Sequence, residues 1–257
     1  MLEFIKQLAQ DAGEIIRHAY YKPDTKLEHK GEIDIVTETD LKCEEFIVIR
    51  IQEKFPTDGI MTEEQDIINP DSNRMWIIDP LDGTTNFSHR FPFCAVSIGL
   101  EMEGEIKFGV VFAPILNELF WAEKGKGSFL NGKQIQVSQT DQISNCLVGT
   151  GFPYDRWQQA DFYIREYLAF TKKCQGVRRA GAAAIDLCYV ACGRLDGFFE
   201  RKLKPWDMAA GSLIISEAGG KITQFDSSDW HYSDQTILAS NRIIHKEMVD
   251  ILGKAHN

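Results

Sequence analysis

The stretch Trp76-Ile77-Ile78-Asp79-Pro80-Leu81-Asp82-Gly83-Thr84-Thr85-Asn86-Phe87 organises the reading of this chain. Its first three residues are apolar and read as a short buried strand. That strand runs into two acids, Asp79 and Asp82, with Pro80 between them. A carboxylate at the end of a buried strand is costly unless its charge is compensated. Carboxylate oxygens suit hard cations such as Mg²⁺, so a metal ion is the best partner. Pro80 fixes its φ and predicts a stiff turn around the acids. Gly83 leaves space for an anion to approach the backbone. Thr84 and Thr85 add hydroxyls and N–H groups at a helix start, which suits phosphate. Acids beside a phosphate cradle would repel the substrate unless cations bridge them. The competing reading is a tight turn with solvated acids, because Asp, Pro, Gly and Thr are ordinary turn residues.

A second acid-bearing element, Lys204-Pro205-Trp206-Asp207-Met208-Ala209-Ala210-Gly211, decides against that reading. Asp207 stands between a tryptophan and an Ala/Gly-rich helical start. It suits the N-cap of that helix, a role compatible with metal ligation. Glu63-Glu64 and Asp34-Ile35-Val36-Thr37-Glu38-Thr39-Asp40 add acids upstream. Taken singly, Glu63-Glu64 reads as a solvated pair and Asp40 as the N-cap of a helix starting at Leu41.

In this order the four elements resemble the inositol monophosphatase family, a group of lithium-sensitive, Mg²⁺-dependent phosphomonoesterases. The resemblance runs from about Ala9 to about Ile244. It implies an α+β or α/β fold layered as an α/β/α/β/α sandwich, a homodimer, and two or three Mg²⁺ ions. It implies that Glu63 binds the first metal and helps orient the attacking water. Asp79 would bridge two metals, the Leu81 carbonyl would complete the first site, and Asp82 and Asp207 the second. Asp40 and Thr84 would accept the proton of the water. Substrate would meet Asp82, Gly83, Thr84, Thr85, Ala183, Glu200 and Asp207. Gly181-Ala182-Ala183-Ala184 would bring a helix N-terminus to the sugar or inositol ring.

Glu200 also stands out on the residues alone. It follows the apolar run Gly197-Phe198-Phe199, so it reads as a polar group on a pocket wall. Arg178 and Arg179 read either as a surface ion-pairing couple or as contacts to a second substrate phosphate. Lys30 reads as a surface lysine that could equally anchor its loop or attract phosphate. His89 is structural, since Mg²⁺ prefers oxygen ligands.

A net charge of −10 argues against direct nucleic-acid binding, which needs a basic face. The 44% hydrophobic content supports a substantial core within one domain over 1–257, with a weak internal boundary near 140. Six scattered cysteines, with no C-x-x-C pair, read as reduced thiols in a cytoplasmic protein. The first twenty residues are amphipathic, so neither a signal peptide nor a membrane span is expected.

Apolar spacing predicts helices over 2–20 and 40–55. It predicts strands at 95–100, 105–113 and 118–121, with turns at Glu103-Gly104 and Asn131-Gly132. The second half should place strands at 146–150, 197–200, 222–225 and 236–239. Helices are expected at 161–173, 182–192, 208–218 and 244–252.

The functional expectation is in-line hydrolysis of a phosphate monoester, foremost myo-inositol monophosphate. Fructose 1,6-bisphosphate, alone or beside inositol phosphate, and 3′-phosphoadenosine 5′-phosphate are alternative substrates for the same chemistry. A regulatory protein that contacts transcription machinery is the alternative of another class.

Overall fold

Gly99, Gly109 and the run Ala209-Ala210-Gly211 set the spacing at the centre of this molecule. A Cβ on Gly109 would lie 2.7 Å from the Ala210 carbonyl oxygen, and one on Gly99 would lie 3.1 Å from Ala209 Cβ. On its other side, a Cβ on Gly211 would lie 2.8 Å from Leu187 Cβ. Small residues therefore let one helix lie close against a sheet below it and a helix beside it.

The computed structural model describes residues 1–22, 27–29 and 35–256. Lys30 and Asp34 fall outside them. The chain opens with α1 (Leu2–Tyr20), the hairpin strands β1 (Leu27–His29) and β2 (Ile35–Thr37), and α2 (Glu38–Lys54). Strands β3 (Gly59–Thr62) and β4 (Arg74–Asp82) follow, then the short α3 (Thr84–Ser88). A meander comes next: β5 (Ala95–Met102), β6 (Glu105–Ala113), β7 (Glu118–Glu123), β8 (Ser128–Leu130) and β9 (Lys133–Ile135). The second half runs β10 (Leu147–Thr150), α4 (Arg156–Thr171), β11 (Gly176–Arg178), α5 (Ala183–Ala191) and β12 (Gly197–Arg201). It closes with α6 (Pro205–Glu217), β13 (Lys221–Thr223), β14 (Thr236–Ser240) and α7 (His245–Lys254).

Strands β3 to β9 form a seven-stranded sheet in sequence order, and the second sheet has the order β11-β10-β12-β14-β13. The apolar clusters define the layers. Ile5, Ile16, Ile47 and Ile51 of α1 and α2 pack on Trp76, Ile78, Val96 and Ile98 of the first sheet. The opposite face, with Val111 and Phe120, meets α5 and α6, which also meet Phe198 and Ile237 of the second sheet. Phe170 of α4 and Met248 of α7 cover the outer face of that second sheet. The result is the expected α/β/α/β/α sandwich. No helix among the described residues is long and apolar enough to cross a membrane.

The two anticipated turns reverse through left-handed pairs, Glu103-Gly104 (φ 55 and 78) and Asn131-Gly132 (φ 48 and 79). Several boundaries differ from expectation. Helix α4 starts at Arg156 rather than near Asp161, with a kink at Gln159, whose dihedrals are non-helical, between its first residues and the helical run that follows. Strands β3 and β11 are four and three residues long and pair in parallel with β4 and β10. Neither is long enough to show a periodicity.

Candidate active site

Strand β4 continues through the acids instead of ending in a turn before them. Met75 and Ile77 pack against Ala209 of α6, and Asp79 lies on the same side by the two-residue repeat. A register shift against β5 between Asp79 and Asp82 then breaks the ladder. It brings both carboxyls into one cleft of about 160 Å³ together with Glu63, Thr84, Glu200 and Asp207. The oxygens of Asp79, Asp82 and Asp207 lie within 4.8 Å of one another.

Four of the site's carboxylates each accept a backbone N–H. Leu81 donates to Asp79 Oδ1 at 2.9 Å and Ala184 to Asp82 Oδ2 at 2.8 Å. Thr37 donates to Asp40 Oδ2 at 2.9 Å and Lys204 to Asp207 Oδ2 at 2.7 Å. One oxygen of each acid is thus tethered, which fixes the side chain and points the other elsewhere. Asp40 and Asp207 do cap helices, but from the third helical position, reaching back to Thr37 and Lys204. Helix α2 begins at Glu38 and α6 at Pro205, a residue suited to a first helical turn. The N-cap role expected of the two acids themselves is corrected accordingly.

The second oxygen of Asp40 accepts a hydrogen bond from the Thr84 hydroxyl at 2.8 Å. The same hydroxyl lies 3.1 Å from the Leu81 carbonyl oxygen. Asp40 is buried behind Thr84, and Thr84 lines the cleft. Upstream, Glu44 is buried on α2 and its Oε2 accepts the Glu64 N–H at 3.0 Å, bracing the segment that carries Glu63. The sequence reading missed Glu44, since an acid on an amphipathic helix reads as solvated.

Among the described residues, Arg179 and Lys204 offset the charge of Glu200 and Asp207 only in part. Burial, then the charges of Glu63, Asp82 and Asp207, hold Asp79 well above the ordinary carboxylate range. Burial and then Asp207 push Asp82 up to about 8. Asp207 rises through burial to about 6. Glu200 is pushed up to about 8 by burial and then by Asp207, with Arg179 opposing. Asp40 is also raised by burial. A set of carboxylate oxygens this close, with protons substituting for missing positive charge, fits a hard divalent cation. The residues can hold a metal.

Gly83, Thr85 and Ala183 line the same cleft. Gly83 has φ 88, and a Cβ there would lie 2.9 Å from the Phe93 carbonyl oxygen, so glycine is required on both counts. Asn86 ties this segment to the approach of α5 by donating to the carbonyls of Phe93 at 2.8 Å and Ala180 at 2.9 Å. The start of α5 serves the acids more directly than expected, since the Ala184 N–H belongs to Asp82. Arg179 lines the cleft but Arg178 does not. Arg178 is exposed on β11 with its guanidinium on the Val177 carbonyl at 3.2 Å, and successive residues there point to opposite sides. Arg156, at the start of α4, also lines the cleft and was not anticipated. Burial and then the charge of Arg179 lower its pKa. His89 is exposed and lies outside the cleft lining.

A layered sandwich with an acid-lined cleft at the strand ends has the build of a metal-assisted phosphatase. The chain belongs to the inositol monophosphatase family, whose model matches residues 1–256. It is 41% identical over 252 residues to an inositol-1-monophosphatase of Caulobacter vibrioides, covering 96% of each chain. It is 40% identical over 251 residues to the Nus factor SuhB of Escherichia coli, covering 97% of this chain and 94% of that one. Among solved structures, an inositol monophosphatase from Anabaena (Nostoc) superposes with a TM-score of 0.90 at 38% identity, covering 98% of this chain and 95% of the other.

Proposed function

We propose that the protein hydrolyses phosphate monoesters with Mg²⁺, and that myo-inositol monophosphates are its substrates. The observation that carries this is the convergence of Asp79, Asp82 and Asp207 within 4.8 Å beside the Thr84–Asp40 hydrogen bond. Glu63, Asp79 and the Leu81 carbonyl would hold one ion, and Asp79, Asp82 and Asp207 a second. When bound, the ions acidify the attacking water and neutralise charge on phosphoryl and leaving oxygens. Thr84 gives its own proton to Asp40, so its oxygen can receive a proton from the cleft side. Burial raises the proton affinity of Asp40 and favours that transfer. Gly83, Thr84 and Thr85 would contact phosphate oxygens. Glu200, Asp207 and the Ala183 backbone would contact hydroxyls of the leaving group.

The family name of several relatives supports the inositol substrate. Arg179, joined by Arg156, gives the bisphosphate reading its remaining support, because two cations line the cleft in addition to the phosphate contacts proposed at Gly83, Thr84 and Thr85. A homodimer working in the cytoplasm and inhibited by Li⁺ at a Mg²⁺ position completes the reading. The second job, contact with transcription machinery, rests on the Nus factor name of a 40% identical relative. Steady-state kinetics over a phosphate-ester panel, with EDTA and Mg²⁺ add-back, tests the main reading. Full turnover in EDTA, or a tenfold preference for fructose 1,6-bisphosphate over inositol 1-phosphate, counts against the metal and the substrate respectively.

A further inference from the structure

Gly151 follows strand β10, and Glu200 lies on the neighbouring β12, where Thr150 pairs with Phe199. Both residues line the cleft. A Cβ on Gly151 would lie 2.1 Å from Glu200 Oε1, 2.2 Å from Oε2 and 2.3 Å from Cδ. The carboxylate of Glu200 therefore fills the volume that a side chain at 151 would occupy. No backbone requirement accounts for the glycine, since Gly151 is absent from the positive-φ residues. The three nearest obstacles to a Cβ all belong to the far end of one flexible side chain. The φ of residue 151 thus admits alanine, but the present place of the carboxylate does not.

We propose that Gly151 is a positioning residue that sets substrate choice by holding open the slot in which the Glu200 carboxylate sits. On the reading of Glu200 given above, the carboxylate meets hydroxyls of the leaving group from that slot. A methyl group at 151 drives the carboxylate away from the end of β10 and breaks its alignment with those hydroxyls. A leaving group without hydroxyls does not sense the change. Loss of one hydrogen bond to a charged group corresponds to roughly a ten- to hundredfold loss in kcat/KM.

The test compares wild type, Gly151→Ala, Glu200→Ala and the double variant on inositol 1-phosphate and p-nitrophenyl phosphate, with thermal unfolding of each. The expected result is that Gly151→Ala raises KM for inositol 1-phosphate and lowers its kcat/KM relative to p-nitrophenyl phosphate by about tenfold or more. In the Glu200→Ala background the same substitution should change that ratio by less than about twofold, because no carboxylate remains to displace. If Glu200→Ala leaves the ratio at the wild-type value, the reading of Glu200 itself fails. If Glu200→Ala lowers the ratio while Gly151→Ala does not, the positioning role is overturned. It is equally overturned if Gly151→Ala costs as much with Glu200 absent as present. Should Gly151→Ala fail to fold, recovery of folding in the double variant would confirm the clash, and failure in both would refute it.

Discussion

The Thr84 hydroxyl donates to Asp40 Oδ1 at 2.8 Å across 44 positions of sequence, while Asp40 Oδ2 accepts the Thr37 N–H at 2.9 Å. Both oxygens of Asp40 are acceptors. An asparagine can offer only one oxygen, so Asp40→Asn leaves either the helix cap or Thr84 facing an amide donor. An unmet buried partner costs roughly 1–3 kcal/mol. We expect kcat to fall about ten- to hundredfold in Asp40→Asn and in Thr84→Val. The double variant should lose little more than either single one, because the two act as a unit. Additive losses would show that they act separately.

Asp82 sits buried among like charges, so its removal should separate activity from stability. Asp82→Asn keeps an oxygen for the Ala184 N–H. We expect kcat to fall at least about a hundredfold, the scale of losing one preorganised electrostatic group. The metal-free variant should nonetheless melt higher than metal-free wild type at pH 7.5, because asparagine spares the folded state the proton that Asp82, pushed up to about 8, must take up; each ~1 kcal/mol gained adds about 2–4 °C. A variant that melts lower and retains turnover would make Asp82 a purely structural residue.

The raised acids give metal binding a defined pH dependence. Asp82 has an ordinary value of 3.8 and is pushed up to about 8, and Asp207 is pushed up to about 6. The folded metal-free protein therefore binds more protons than the unfolded chain between pH 4 and 8. The contribution of these groups to stability is present at low pH and is lost as pH rises through that window. Divalent cations bound by these acids would displace the protons. The Tm increment on adding Mg²⁺ should consequently be larger at pH 8 than at pH 5.5, with protons released on binding. Equal increments at the two pH values would contradict this account.

His245 acts in the opposite sense, far from the cleft. It is buried at the start of α7, with Nε2 2.9 Å from the Thr223 hydroxyl and Nδ1 2.7 Å from that of Ser240. Burial, aided by Lys221, pushes it down from 6.5 to about 4. The unfolded chain then binds the extra proton between pH 6.5 and 4, so this stability is present above 6.5 and lost as pH falls. The loss amounts to at most about 3 kcal/mol. Compared with His245→Asn, wild type should show the steeper fall in urea-derived stability across that window. Parallel curves would remove His245 from the acid response.

The parts of this molecule that could be read from sequence are those where chemistry and pattern coincide. An apolar run ending in Asp79 and Asp82 has few uses other than charge compensation. Alternation in the meander and glycine after Glu103 and Asn131 leave local signatures. Arg156 escaped because the break at Gln159 erases the helical period just where the cleft begins. Glu44 escaped because its burial depends on a non-local partner, the Glu64 N–H. Arg178 and Arg179 could not be told apart without β11, whose three residues acquire direction only by pairing with β10. Gly151 had no meaning until β12 placed Glu200 beside it.

The four tethered carboxylates also make the active site visible to a probe that never touches it. The amides of Thr37, Leu81, Ala184 and Lys204 each donate to an acid of the cleft. Their hydrogens can exchange with solvent deuterium only when an acid lets go. Exchange at these positions therefore reports the lifetime of the assembled site, separately from the opening of the layers around it. Three of the donors, Thr37, Ala184 and Lys204, lie at the starts of three different helices, α2, α5 and α6. If their exchange rates rise and fall together, the cleft opens as one cooperative unit and not helix by helix.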